Sequence, residues 1–234
     1  MDPRLHPPLD LWLVSLDNTD PVSPQDLSHA EDRARCDQIV VPRRKRQFTF
    51  RRRALRYVLS RYLPRYDLDV APSGKPFVRS TQGRQGLQFS TSASRDVCAV
   101  CVSDRDAGVD IEANPPAVDL ADIVTQFMPG VPASGYAALR TLDTAAATPS
   151  LRAFRQHLAV MSWCRLEAYT KLHGRTLHEV LFKGHEKLST VFGDDHHVVA
   201  VANLDYVCVI AQKQPFRVAR IHQIDFARIA REQG

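Results

Sequence analysis

Apolar positions along this chain recur first at the strand period and then at the helix period, and the changes of period mark out its elements. Leu11–Leu16 reads as a strand, and Asp26–Val40 as a helix opened by Ser23 or Asp26. Leu55, Val58, Leu59 and Tyr62 recur at three- and four-residue spacing, which predicts an amphipathic helix between Pro42 and Pro64. Short strands are predicted at Pro76–Arg79, Gly86–Thr91, Val97–Ser103 and Ala107–Glu112, separated by Gly, Ser and Asp turn signals. Ala113-Asn114-Pro115-Pro116 breaks the pattern as a hinge or crossover, and a helix over Leu120–Phe127 follows. Residues 129–150 are small, Pro-containing and weakly patterned, and read as a mobile loop. Leu151–His173 is the longest helical pattern, closed by Gly174. Strands at Leu177–Lys183, Leu188–Phe192, His197–Ala202 and Tyr206–Ala211 complete the expected set.

Segregated helices and antiparallel strands make the predicted class α+β. The order strand, helix, long helix, several strands occurs before about residue 106 and again after it. Two halves are therefore expected, 1–106 and 107–234. No run approaches the ~18 apolar residues of a membrane helix. The apolar run near the N-terminus is too short for a signal-peptide core. A cytoplasmic chain is expected.

Charge changes the picture at one place. The chain carries 31 Lys+Arg against 26 Asp+Glu, a net charge of +5, but residues 43–65 hold ten cations and no acid. The predicted helix there has a cationic outer face, either solvated or bound to something anionic. Five cysteines, Cys36, Cys98, Cys101, Cys164 and Cys208, read as buried thiols in a reducing compartment. Cys98 and Cys101 form C-x-x-C, but on a strand residues three apart face opposite sides and do not converge on a metal.

Candidate chemistry is scattered and individually weak. Asp110 and Glu112 stand two apart on one strand, so both carboxylates share a face. Their repulsion is resolved either by solvent exposure or by a hard cation such as Mg²⁺. Glu167 and Lys171 are four apart on the long helix, as an ordinary helical ion pair would be. Gly74-Lys75-Pro76 puts a lysine in a tight turn, exposed or reaching a phosphate. Phe89-Ser90-Thr91-Ser92-Ala93-Ser94 ends a strand in serines able to cradle an anion, or simply to turn the chain. Gly193-Asp194-Asp195-His196-His197 reads as a hairpin turn, not a metal cluster.

The order of these pieces is specific. F-x-x-R-R-R-A-L-R, then GKP, FSTSAS, GVDIE, and finally WCRLEAYTK with HGRTL resembles the Sfp-type 4′-phosphopantetheinyl transferases from about Arg44 to Leu177. The resemblance implies two similar α+β halves related by a pseudo-twofold, with coenzyme A in the cleft between them. It implies transfer of 4′-phosphopantetheine from coenzyme A to a serine of an acidic acyl or peptidyl carrier protein. Asp110, Glu112 and Glu167 would hold Mg²⁺, and Glu167 would also serve as base. Lys171 would contact the attacked phosphate. Arg44, Arg46, Arg56, Lys75, Ser92 and Ser94 would bind the nucleotide phosphates. A monomer is expected, without membrane or nucleic-acid partners, and Phe127 with Met128 is expected to dock the carrier.

Two positions depart from the family. Ala93 stands where a histidine is usual, which removes a phosphate contact of ~1.5–3 kcal/mol unless an arginine such as Arg95 replaces it. Leu166 stands where a lysine is usual. The interval of 53 positions from Asp110 to Trp163 is slightly long. The competing readings are a weak relative that binds coenzyme A or carrier without efficient transfer, and a nucleic-acid-binding protein using the basic helix.

Overall fold

The computed structural model describes residues 8–16, 22–71, 74–82, 86–114, 116, 120, 123–124, 148–182, 196–203 and 205–233. In chain order the elements are β1 (Pro8–Ser15), α1 (Ala30–Asp37), α2 (Pro42–Ser60), β2 (Arg65–Val70), β3 (Pro76–Gln82), β4 (Gln88–Ser94), β5 (Val97–Ser103) and β6 (Gly108–Ala113). Then come α3 (Pro149–Leu172), α4 (Leu177–Phe182), β7 (His197–Ala202), β8 (Tyr206–Gln212), β9 (Arg217–Asp225) and α5 (Phe226–Gln233). The class is α+β, as the segregated periods predict.

Two sheets carry the architecture, in the orders β4-β5-β1-β9 and β6-β8-β7, with β2-β3 as a separate ribbon. Strands β1 and β5 are apolar at nearly every position because both faces of their sheet are covered. Trp12, Val14, Cys98, Val100 and Val102 face one core with Phe50, Val58 and Leu59 of α2. Leu9, Leu11, Leu13, Ala99 and Cys101 face a second core shared with Val109 and Ile111 of β6 and Cys208 and Ile210 of β8. Val207, Val209 and Ala211 then pack under Ala159, Val160, Cys164 and Ala168 of α3. The layers are therefore helix, sheet, sheet, helix. Cys98 and Cys101 fall in different cores, as alternation requires, and all five thiols are free and buried.

Several boundaries differ from expectation for local reasons. The segment expected as one helix over Asp26–Val40 is a 3₁₀ turn at Pro24–Asp26, capped by Ser23, followed by α1. Leu27 interrupts it with extended backbone, φ −75° and ψ 107°. Within Leu177–Lys183, expected as a strand, the described residues Leu177–Phe182 form the helix α4. Its signal was Thr176-Leu177-His178-Glu179, a capping box: Thr176 N donates to Glu179 Oε2 at 2.8 Å and Glu179 N to Thr176 Oγ1 at 3.2 Å. The long helix starts at Pro149, capped by Thr148, slightly before its expected start at Leu151. Leu188–Phe192, Phe127 with Met128, and residues 129–147 lie outside the described residues, as do Gly193, Asp194 and Asp195. Leu120 and Ile123 are helical and join the α3 core.

Beyond Ala211 the sequence pattern predicts no element, yet β9 pairs in parallel with β1. Helix α5 follows it and sets Phe226 edge-on to Phe50 of α2 at 5.3 Å. The last segment thus returns to the sheet of the first half. Among the described residues no helix is long and apolar enough to cross a membrane.

Candidate active site

Strand β6 begins at Gly108, where α3 crosses it. A Cβ at Gly108 would lie 1.8 Å from the Ala168 carbonyl oxygen and 2.7 Å from the Leu172 nitrogen. Only glycine admits the helix this closely. The approach brings Glu167 and Lys171, half-buried on one face of the helix, over Asp110. Gly108→Ala is expected to lower stability by ~1–3 kcal/mol because it overpacks against backbone that has no rotamer to yield. The melting temperature would fall by ~2–4 °C per kcal/mol. A variant melting with the wild type would show that the contact is not tight.

Strand β4 meets β6 through side chains rather than a backbone ladder. Ser90 Oγ accepts from Val109 N at 3.1 Å and Ser94 Oγ accepts from Ala113 N at 3.2 Å. On the same face Ser92 Oγ donates to Asp110 Oδ1 at 2.7 Å and Ser94 Oγ to Glu112 Oε2 at 2.6 Å. The serine strand end therefore holds the two acids in register. The hydroxyl hydrogens of Ser92 and Ser94 point at carboxylates in this arrangement, where the family pattern led to an expectation of phosphate contacts.

Lys171 sits between the acids. Its Nζ lies 2.6 Å from Asp110 Oδ1, 3.0 Å from Ser92 Oγ and 3.5 Å from Glu167 Oε2. Burial pushes its pKa down, but Asp110 and Glu167 outweigh that and raise it. Burial pushes Glu167 above the usual carboxylate range; Asp110 adds to the rise while Lys171 opposes it. Burial likewise raises Glu112, Ser94 opposing and Asp110 adding. Asp110 is 2% exposed, and its second oxygen, Oδ2, is buried without a hydrogen-bond partner.

Lys75 reaches the same place from the Gly74 turn, donating to the Lys171 carbonyl oxygen at 3.0 Å. Burial lowers its pKa, with Asp106 opposing. Lys75, Lys171 and Arg175 line a cavity of about 180 Å³ with Gly74, Ser90 and Thr91. A second cavity of about 250 Å³ shares Gly74, Pro76 and Thr91 with the first and is lined further by Arg35, Arg51 and Arg52. A larger groove of about 480 Å³, between Gln88, Asp104–Asp106 and Gln212–Gln214, contains none of the predicted site residues.

The remaining predicted residues divide. Arg44 is exposed and Arg46 half-buried on the first turns of α2. Arg56 is committed elsewhere: its Nε donates to Asp32 at 2.9 Å and its Nη2 to Glu31 at 2.7 Å. Leu166 is fully buried, so the position where the family has lysine points into the core of this chain. Arg51 and Arg175 carry no individual signal in the sequence. Arg51 was one among ten cations in a single run, and only the fold distinguishes it.

The chain is 30% identical over 173 residues to the 4′-phosphopantetheinyl transferase HetI of Nostoc sp., covering 70% of this chain and 68% of that protein. It belongs to the 4′-phosphopantetheinyl transferase family. No protein-family model matches the chain. As a phosphopantetheinyl transferase it needs a site for a charged, transferable phosphate, and phosphoryl transfer is governed by positioning and charge neutralisation more than by covalent catalysis. The described cleft supplies cations and acids for that and no exposed thiol.

Proposed function

We propose that this transferase moves 4′-phosphopantetheine from coenzyme A to a serine hydroxyl of an acidic acyl or peptidyl carrier protein, with Mg²⁺, releasing adenosine 3′,5′-bisphosphate. The observation that supports it best is the buried, partnerless Oδ2 of Asp110, beside Glu112 and Glu167 and next to a cavity lined by Lys75 and Lys171.

The donor set fits a hard divalent cation, since such ions take carboxylate oxygen and keep part of their hydration. Among the described residues no three side chains already converge as a metal cage. Lys171 Nζ, bonded to Asp110 and near Glu167, neutralises them in this arrangement. Asp110, Glu112 and Glu167 would hold the ion, which when bound offsets the charge of the pyrophosphate and of the acids together.

Residues of the chain perform the rest. Glu167, its pKa raised, takes the proton of the incoming serine hydroxyl, directly or through water. The serine oxygen bonds to the phosphorus that carries the pantetheine arm. The bond from that phosphorus to the bridging oxygen breaks, and adenosine 3′,5′-bisphosphate leaves with the electron pair. Lys171 stabilises the charge that builds on the phosphoryl oxygens. Lys75, Arg44 and Arg46 hold the nucleotide phosphates. The net charge of +5 favours encounter with an acidic carrier.

Intact-mass spectrometry of an apo carrier protein incubated with this protein, coenzyme A and Mg²⁺ tests the proposal. The carrier is expected to gain one phosphopantetheine arm, to stop gaining it under EDTA, and to resume when Mg²⁺ is restored in excess. Transfer unaffected by EDTA would remove the metal from the mechanism. Coenzyme A binding without transfer to any of several carriers would favour the weak relative, which Ala93 supports.

A further inference from the structure

The two adjoining cavities differ in what lines them. The first is bordered by Lys75, Lys171 and Arg175 beside the acids. The second, which shares Gly74 with the first, is bordered by Arg35, Arg51 and Arg52, with Phe48, Leu55 and Ala93 also lining it. Coenzyme A carries phosphate in two separate places, the pyrophosphate and the ribose 3′-phosphate. A cleft with two neighbouring cationic cavities matches that pattern.

The arginines of the second cavity are not equivalent. Arg52 is buried, bonded to Asp32 at 3.1 Å, with its guanidinium 5.3 Å from the Phe48 ring centre. Arg35 is exposed at the end of α1. Arg51 is exposed on α2 and lies directly at the family's missing contact: its Nη2 donates to the Ala93 carbonyl oxygen at 2.7 Å. Arg95, the substitute that sequence order alone favoured, lies in the β4–β5 turn at φ 47° and borders neither cavity. A small side chain at 93 leaves room for the guanidinium, which keeps further donors after one is given to the carbonyl.

Resting on the transferase reading above, we infer that Arg51 is the coenzyme A-binding residue that takes the place of the histidine absent at Ala93, contacting the ribose 3′-phosphate in the Arg35–Arg51–Arg52 cavity. The guanidinium is charged at every working pH and binds phosphate as a two-pronged donor. Arg51 thus sets the preference of this enzyme for coenzyme A over its 3′-dephospho form.

Calorimetric titration with coenzyme A and with 3′-dephospho-coenzyme A reads this without needing turnover. The wild type is expected to bind coenzyme A more tightly. Arg51→Ala weakens coenzyme A binding between about tenfold and about a hundredfold and leaves the dephospho form nearly unchanged. Adding Ala93→His to Arg51→Ala restores part of the loss. If Arg51→Ala binds coenzyme A as the wild type does, or loses both ligands equally, the assignment of Arg51 is overturned. If the wild type binds neither ligand and transfers nothing, it is the transferase reading beneath it that fails.

Discussion

Glu167→Gln is expected to lower the transfer rate by on the order of 10³-fold or more, since a base alone contributes ~10²–10⁴ and this residue is also a proposed metal ligand. The same substitution is expected to raise the melting temperature of the metal-free protein at neutral pH. Burial and the Asp110 charge raise the Glu167 pKa above its reference value of 4.5, so the fold disfavours the ionised side chain. The folded state then binds the proton more tightly than the unfolded state. Stability is lost as pH rises from that reference value through the raised one, and the full cost is present above it. Glutamine removes the charge and most of that loss. Rate measured by carrier mass, with melting curves across pH, tests both halves. A variant that keeps wild-type turnover would take Glu167 out of the chemistry; one that melts lower at neutral pH would mean its ion pair with Lys171 outweighs burial.

Asp32→Ala is expected to destabilise by ~3–5 kcal/mol, because it leaves two arginines buried without their shared counter-charge. Asp32 is 4% exposed; Arg52 Nε lies 3.1 Å from one of its oxygens and Arg56 Nε 2.9 Å from the other. Burial lowers the Arg52 pKa, and Asp32 is the main group opposing it. For Arg56, Asp32 and Glu31 outweigh the burial and leave the pKa raised. A fall of ~2–4 °C in melting temperature per kcal/mol makes the effect plain in a thermal scan. Glu31→Ala, which removes the exposed partner of Arg56, is expected to cost no more than ~1 kcal/mol. Equal effects from the two would show that burial does not govern these pairs. Because α1 also carries Arg35, loosening it disturbs one wall of the second cavity.

That pairing revises the basic helix. Its sequence holds no acid, so its face reads as free for a phosphate or a nucleic acid. In the fold Arg52, Arg53 and Arg56 turn inward to Asp32, Asp26 and Glu31, which precede α2 or lie on α1. Charge counting along a segment registers composition, whereas counter-charges arrive from another segment. The terminal strand is illegible in the sequence for a related reason. Only Ile224 of β9 is buried, so an edge strand held by β1 pairing carries almost no alternation.

The elements that bury whole faces, and the order of the chemical residues, follow from local pattern along the chain. Leu11–Leu16 and Val97–Ser103 read as strands because each is a short apolar run, and such a run needs cover on both faces of its sheet. Gly108-Val109-Asp110-Ile111-Glu112 had to point its acids together, since the strand period is two. What those acids meet depends on the folding of distant segments together. That folding set α3 against Gly108 so that Lys171 reaches Asp110, bridged Ser92 and Ser94 to the carboxylates, and drew Lys75 in from 96 positions away. It also separated Arg51 at Ala93 from Arg56 at Asp32, five residues apart on one helix. Period and order are local properties of a chain; distance between segments is not, and both the charge balance and the cavity depend on that distance.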